Sequence, residues 1–238
     1  MTRLLALLAL TISALAMGEV GKVTKLDGSA SRTPKGGSAE ALKEGSSIEL
    51  GDRLEVKAGA LKLELSDGSV IALAEKSSLE ISEAEFEGQE RKAFSGFLKS
   101  GSLWTKVKKA LGGGKFEVTT ERAVAGVRGT IFRIDADTFV KAARGKGRKA
   151  SIVRVVEGVV AVKPTKQIAK TLTRSASKKG PRVEVPGPKE VSQDEWEARF
   201  VELQQGMQVA VGVDLFEEAQ LDEAAQRDAF GQWLEKNP

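Results

Sequence analysis

The 238-residue chain contains no histidine, no cysteine and no tyrosine. Without histidine there is no Ser-His-Asp or Cys-His nucleophilic machinery. Without either histidine or cysteine the usual ligand sets for zinc, haem and iron–sulfur clusters are missing as well. Calcium could still be held by oxygen ligands alone, but no D-x-D-x-D-G loop occurs. Disulfides are ruled out, so the compartment has to be read from other features. Proline is scarce (6 residues) and aromatics make up 5%, whereas glycine is abundant at 25 residues. That balance suits many short strands joined by tight turns. The length is enough for one domain with a sizeable core plus appendages.

The N-terminus supplies the address. Arg3 gives a short positive region, Leu4 to Ile12 an apolar run, and Ala14-Leu15-Ala16 a small-x-small cleavage site. This pattern predicts a secretory signal over residues 1–16, cleaved to leave a chain beginning at Met17. The competing reading, a retained anchor, is set aside because the run is short for a bilayer. No cysteine follows the site, which excludes a lipoprotein anchor, and no later segment is long and apolar enough to span. The expected location is periplasmic or secreted.

From residue 17 to 162 the chain reads as consecutive strands. Leu61, Leu63 and Leu65 alternate with Lys62 and Glu64, and Ser66-Asp67-Gly68-Ser69 turns the chain into Val70-Ile71-Ala72-Leu73. Asp52 and Asp67 sit beside glycines, where a carboxylate caps the amides of its own turn. Gly112-Gly113-Gly114-Lys115 lacks the hydroxyl residue of a phosphate loop, since Phe116 stands there; it reads as a hairpin loop. The densest β pattern runs from Phe116 to Val162. It is broken by Gly126-Val127-Arg128-Gly129-Thr130 and by a turn at Glu157-Gly158. An arginine between two glycines can lie inward and bond several carbonyls, or it can grip an anionic ligand. The apolar neighbours Val127, Ile131 and Phe132 favour the inward, structural role, which predicts that Arg128→Lys destabilises the fold.

Taken in order, Gly21-Lys22-Val23, Gly28 to Arg32, Leu50-Gly51-Asp52-Arg53-Leu54, the Leu61 to Leu73 hairpin, Phe97 to Val107 and Ala125 to Phe132 resemble the FecR domain. This is the extracytoplasmic domain of ferric-citrate-type regulators, found also in many secreted proteins. The resemblance implies a mainly β, compact β-sandwich or β-solenoid-like domain over residues 17–162, with a short C-terminal helical extension. Regulators of that type cross the inner membrane and hold a sigma factor inside. Without the span, that activity is not carried over.

Charge is partitioned. Lys141 to Arg182 holds thirteen basic residues and one acid, and residues 189–238 hold four basic and twelve acidic residues. The basic residues fall in two pieces, Ala143 to Ala150 and Lys163 to Arg182, both read as loops; residues 163–189 are expected to form a linker. Solvation alone explains such loops. They could equally meet an anionic envelope polymer, a lipid surface or the acidic C-terminal segment of this chain or a second copy. Candidate contacts are Arg144, Lys146, Arg148, Lys149, Lys166, Lys170, Arg174, Lys178 and Lys179. Nucleic acid is disfavoured, because stacking aromatics are absent from the stretch. Beyond the linker, residues 190–238 predict a helix from the capping box at Ser192 over Gln193 to Glu202, then a strand at 207–213 returning to the β domain. A second helix is predicted over Phe216 to Leu234. Trp104 beside Lys106, Lys108 and Lys109 is either a charged strand face or, less simply, a sugar-stacking surface.

The functional expectation is a non-enzymatic, exported binding or scaffolding module of the cell envelope, with no cofactor or metal and a protein or anionic partner. The alternative is an extracytoplasmic sensor component acting through a separate membrane protein.

Overall fold

The structure, a computed structural model, describes residues 19–109, 114–140, 147–176 and 201–238. The predicted signal with Ala14 and Ala16, the capping box at Ser192 and the proline-rich stretch before it lie outside these residues.

Fifteen strands form one continuous hydrogen-bonded sheet folded into two layers. They are β1 (Glu19–Thr33), β2 (Glu40–Ala41), β3 (Ser47–Glu49), β4 (Arg53–Leu65), β5 (Val70–Ala74), β6 (Ser78–Glu87), β7 (Glu90–Lys106), β8 (Lys115–Thr119), β9 (Ala123–Val127), β10 (Ile131–Val140), β11 (Arg148–Glu157), β12 (Val159–Pro164), β13 (Val201–Gln204), β14 (Met207–Gly212) and β15 (Leu215–Gln220). Among the described residues three helices follow β12 or close the chain: α1 (Lys166–Ala176), α2 (Glu223–Gln226) and α3 (Ala229–Lys236). The fold is mainly β, a compact sandwich with a short C-terminal helix.

The long strand β7 belongs to both layers. Its first half pairs with β6 and, in parallel, with β8; its second half pairs with β5 and β10. The change falls at Gly101, whose φ of +81° is open to glycine and where a Cβ would overlap Ser77. Gly112 and Gly113, read as a hairpin loop, lie outside the described residues, but β7 and β8 pair in parallel and so are not the two arms of a hairpin. Phe116 lies beside Phe94 in parallel register, with ring centroids 4.8 Å apart, so the connection is a crossover.

Alternation decides which side chains fill the gap between layers. Leu61, Leu63, Ile71, Leu73, Leu103, Phe132, Ile134, Val153 and Val155 are all fully buried, each side chain contributing roughly 1.5–3 kcal/mol against exposure. The intervening residues of β4, β5, β7, β10 and β11 lie on the outer face. There Ala60, Ala72 and Trp104 are covered by Phe230, Trp233 and Leu234 of α3.

Three parts of the C-terminal expectation change. Residues 163–176 are not a linker: Lys163 and Pro164 end β12, and Lys166–Ala176 is helical because Ile168 and Leu172, one turn apart, pack on the core. Val201 and Glu202 belong to β13, paired with β12, not to a helix. Residues 215–220 form a strand because their register against β14 puts Phe216 opposite Val211 at the core rim; helix begins only at Glu223. Residues 207–212 run antiparallel to β11.

Candidate functional site

The Gly126–Thr130 motif builds a corner. Strand β9 lies in one layer and β10 in the other, so the chain changes layer between them, and β11 to β12 makes the reverse passage. The two passages touch. Thr130 Oγ1 donates to Val159 O at 3.0 Å, Val107 N–H donates to Thr130 O at 2.9 Å, and a Cβ on Gly158 would stand 3.1 Å from Gly129 O. Gly129 and Gly158 have φ of +68° and +86°. Gly206, in the β13–β14 turn, makes a third passage, its N–H bonded to Val155 O at 3.0 Å. Val127 and Thr130 are buried.

Two residues of the motif do not behave as the sequence predicts. Arg128 is exposed, so it locks nothing inside. Gly126 sits in β9 with open space where its Cβ would be, so neither a tight turn nor a close approach requires it. The chain's inward arginines are elsewhere. Arg91 donates to Asp67, Ser69 Oγ and Lys108 O, and stacks on Phe116. Burial lowers the pKa of its guanidinium against the opposing charge of Asp67. Asp52 and Asp67 do cap their own turns, accepting from Glu49 N–H and Ser69 N–H, both at 2.9 Å. Both also receive an arginine, Arg32 and Arg91.

A larger network crosses the outer face. Arg133 donates through Nε to Asp135 at 2.8 Å and through both terminal nitrogens to Asp228 at 3.0 and 2.6 Å. Arg154 reaches Asp135 and Gln208. Burial, together with the charge of Arg133, pushes Arg154 down to about 10. Burial opposes ionisation of Asp228, but bonds from Arg133 and Gly231 N–H prevail and hold its carboxyl below the usual range. Asp228 is also the N-cap of α3. Trp233 Nε1 donates to Asp27, and Lys62 donates to the carbonyls of Asn237 and Pro238. The helix is thereby pinned across the sheet, leaving a groove of about 580 Å³ floored by Trp104, Ile131 and Val156. Trp104 is thus partly covered by the chain's own helix, the structural reading of that face.

The candidate contact residues divide. Arg144 and Lys146, and Lys178 and Lys179, lie outside the described residues. Arg174 belongs to α1. Arg148 and Lys149 are not loop residues: they open β11, because Thr138, Phe139 and Val140 pair with Ala150, Lys149 and Arg148. At that end of the sandwich the fold joins what the sequence keeps apart. Lys149 donates to Asp137 at 2.6 Å, and Arg122 lies 3.1 Å from the same carboxylate. Thr165 is tied to the β8–β9 turn, its N–H donating to Arg122 O at 2.9 Å and its Oγ1 to Glu121 O at 3.0 Å. Thr165 leads directly into α1 with Lys166 and the exposed Lys170. Arg148 reaches the carbonyls of Val213 and Asp214 in the β14–β15 turn. Both cations hold Asp137 below the usual carboxylate range, Lys149 first.

Sequence reasoning missed Arg122, Asp137, Phe139 and Val213 at this end. Asp137 is a bulge residue with φ of +58°. The extra residue puts Phe139 in register with Lys149, on the same face as the core residues Val153 and Val155. The core stops at Ser151, bonded to Thr120 at 2.8 Å, so Phe139 is 69% exposed and Val213 49% exposed. A phenylalanine next to a basic run was the only signal available. Among the described residues no cluster of acidic side chains is placed to hold a metal ion.

These features define a two-layer, mainly β domain whose buried charges serve the fold. Residues 52–161 match the family model described as FecR protein. The match opens at the Asp52 turn and closes in β12, with the Gly129–Gly158 corner inside it. No curated protein matches the chain. Among solved structures, two crystal structures of a candidate anti-sigma factor from Parabacteroides distasonis ATCC 8503, at 1.65 and 2.50 Å, align with 17% identity and a TM-score of 0.46. The alignments cover 76% of this chain and 64% and 63% of those chains, so the chain spans less than two thirds of their length. No helix of the described residues is long and apolar enough to cross a membrane.

Proposed function

We propose that the protein is an exported, non-catalytic binding module of the cell envelope, and that its partner is held at the end of the sandwich built from Arg122, Phe139, Arg148, Lys149 and Val213. The observation that carries this reading is the convergence itself. Basic residues from β11 and the β8–β9 turn are brought side by side, with the start of α1 tied to that turn through Thr165, and Phe139 and Val213 at the same end are left largely uncovered. Solvation alone needs no such assembly. The deeply buried carboxylates support a non-catalytic role: Asp52, Asp67 and Asp135 each face an arginine and cap or brace the sheet. Cross-linking in the native envelope through a photoreactive residue at Arg148, followed by identification of the captured species, tests the proposal. Capture of one defined partner supports it. Turnover of a glycan or peptide by the purified protein, or retention of the chain in the cytosol, would overturn it.

The FecR match favours a second reading, an extracytoplasmic sensor that reports through a separate membrane protein. Co-purification with a single membrane-spanning regulator, lost when the charged end is altered, would distinguish it from scaffolding.

A further inference from the structure

Resting on the binding-module reading, we infer that the charged end is a membrane-docking tip: Phe139 enters the headgroup region of an anionic bilayer while Arg148, Lys149 and Lys170 face lipid phosphates. Three observations lead there. Phe139 continues the core-facing register of its sheet beyond the last packed residue, and 69% of it is exposed. Val213 stands at the neighbouring turn, 49% exposed, beside a hollow it shares with Arg122, Arg148 and Lys149. The cations come from separate elements: Arg122 from the β8–β9 turn and Arg148 and Lys149 from β11, with Lys149 directly opposite Phe139.

The acidic groups at this end are Glu121, Asp137 and Asp214. Asp137 is engaged by Lys149 and Arg122, and Glu121 lies 3.7 Å from Arg122, so they temper the basic field without reversing it. Free polyanions would use the cations and leave Phe139 and Val213 in water. A protein partner needs roughly 800 Å² of complementary surface on each side with a packed apolar centre; two separated apolar side chains do not furnish that centre. A bilayer demands no shape match. It accepts a protruding aromatic at the interface and attracts basic residues near its surface.

The test uses vesicles. The full-length mature protein is mixed with vesicles of pure phosphatidylcholine or of phosphatidylcholine with 30% phosphatidylglycerol, in sedimentation assays at about 0.05 and 0.5 M salt, a range over which the Debye length falls several-fold. Binding to the anionic vesicles that weakens with salt is expected. Each basic residue near the surface is worth roughly fivefold in affinity, so Arg148→Gln with Lys149→Gln should weaken binding about 25-fold. Phe139→Ser should weaken it at least about tenfold with a melting temperature within about 2 °C of the parent, because the side chain is 69% exposed. The natural chain has no cysteine, so Phe139→Cys carries a single polarity-sensitive dye. Its emission should shift to the blue on anionic vesicles, while Gln89→Cys, on the β6–β7 hairpin, should not respond. Equal binding to both lipid compositions, no vesicle binding, an unresponsive dye at 139, or full binding by Phe139→Ser would each overturn the inference. If cross-linking nonetheless captures a protein or polymer, the binding-module reading stands and only the lipid assignment falls.

Discussion

Replacing Asp135 with asparagine tests whether the outer-face network is a true buried ion cluster. Asp135 is 6% exposed and receives both Arg133 and Arg154, themselves 6% exposed. The amide keeps the shape but removes the charge. Arg133 retains Asp228, whereas Arg154 loses its carboxylate hydrogen bond and keeps the one to Gln208 at 3.2 Å, with Asp222 and Asp228 acting on it only through charge. Leaving one buried charge without its counter-ion costs about 3–5 kcal/mol. For a chain of this size each kcal/mol lowers Tm by roughly 2–4 °C. The variant should therefore melt roughly 6–20 °C lower by circular dichroism at pH 7. Arg154→Met in the same protein removes the stranded charge and fills its volume with apolar atoms. Because apolar replacement of a whole buried pair is often neutral, the double variant should recover at least half of the loss. An Asp135→Asn protein melting within about 2 °C of the parent, or a double variant no more stable than the single one, would show that the arginines are solvated and the reasoning wrong.

Arg128→Lys should shift Tm by no more than about 2 °C, whereas Thr130→Val, two residues away, should cost about 1 kcal/mol by losing the bond that joins the two layer passages; urea unfolding of both proteins checks the contrast. Gly101→Ala should cost more than about 1 kcal/mol, because it places a side chain at φ of +81° against Ser77; equal urea midpoints would refute the bend. Asp228→Ala should free α3, seen as faster hydrogen exchange over residues 229–236 with the sandwich still protected. The same helix should loosen in acid. The folded pKa of Asp228 is depressed, so its contribution is complete above the unfolded value of about 3.9 and is lost as the pH falls through the lower folded value. Exchange of α3 that rises already between pH 5 and 7 would contradict that sign.

Much of the β domain was legible because one local rule governs it. Leu61-Lys62-Leu63-Glu64-Leu65 can bury one face only as a strand, and Asp67-Gly68 can only turn it. The Ala125–Phe132 signature was legible as a motif, but not its reason. Glycines at 129 and 158 with φ above +60° mark turns in any fold; that the two turns support each other across the layers depends on residues about thirty positions apart. Arg128 was misjudged because Val127 and Phe132 beside it are buried, whereas Arg128 itself stands in the bend between β9 and β10, exposed. The helix at 166–176 was hidden by its own charge, which drew attention from Ile168 and Leu172.

The sequence alone therefore determined that most of residues 17–162 is strand, that Asp67-Gly68 turns the chain and that no cysteine or histidine chemistry is available, since periodicity and composition act within a few residues. Tertiary structure decided the rest. It set the parallel entry of β8, the arginines that go inside, the return of α3 over Trp104, and the meeting of Arg122, Lys149 and Phe139 at one end. Each depends on pairing across dozens of residues, where burial and charge compensation, not local preference, select the partner.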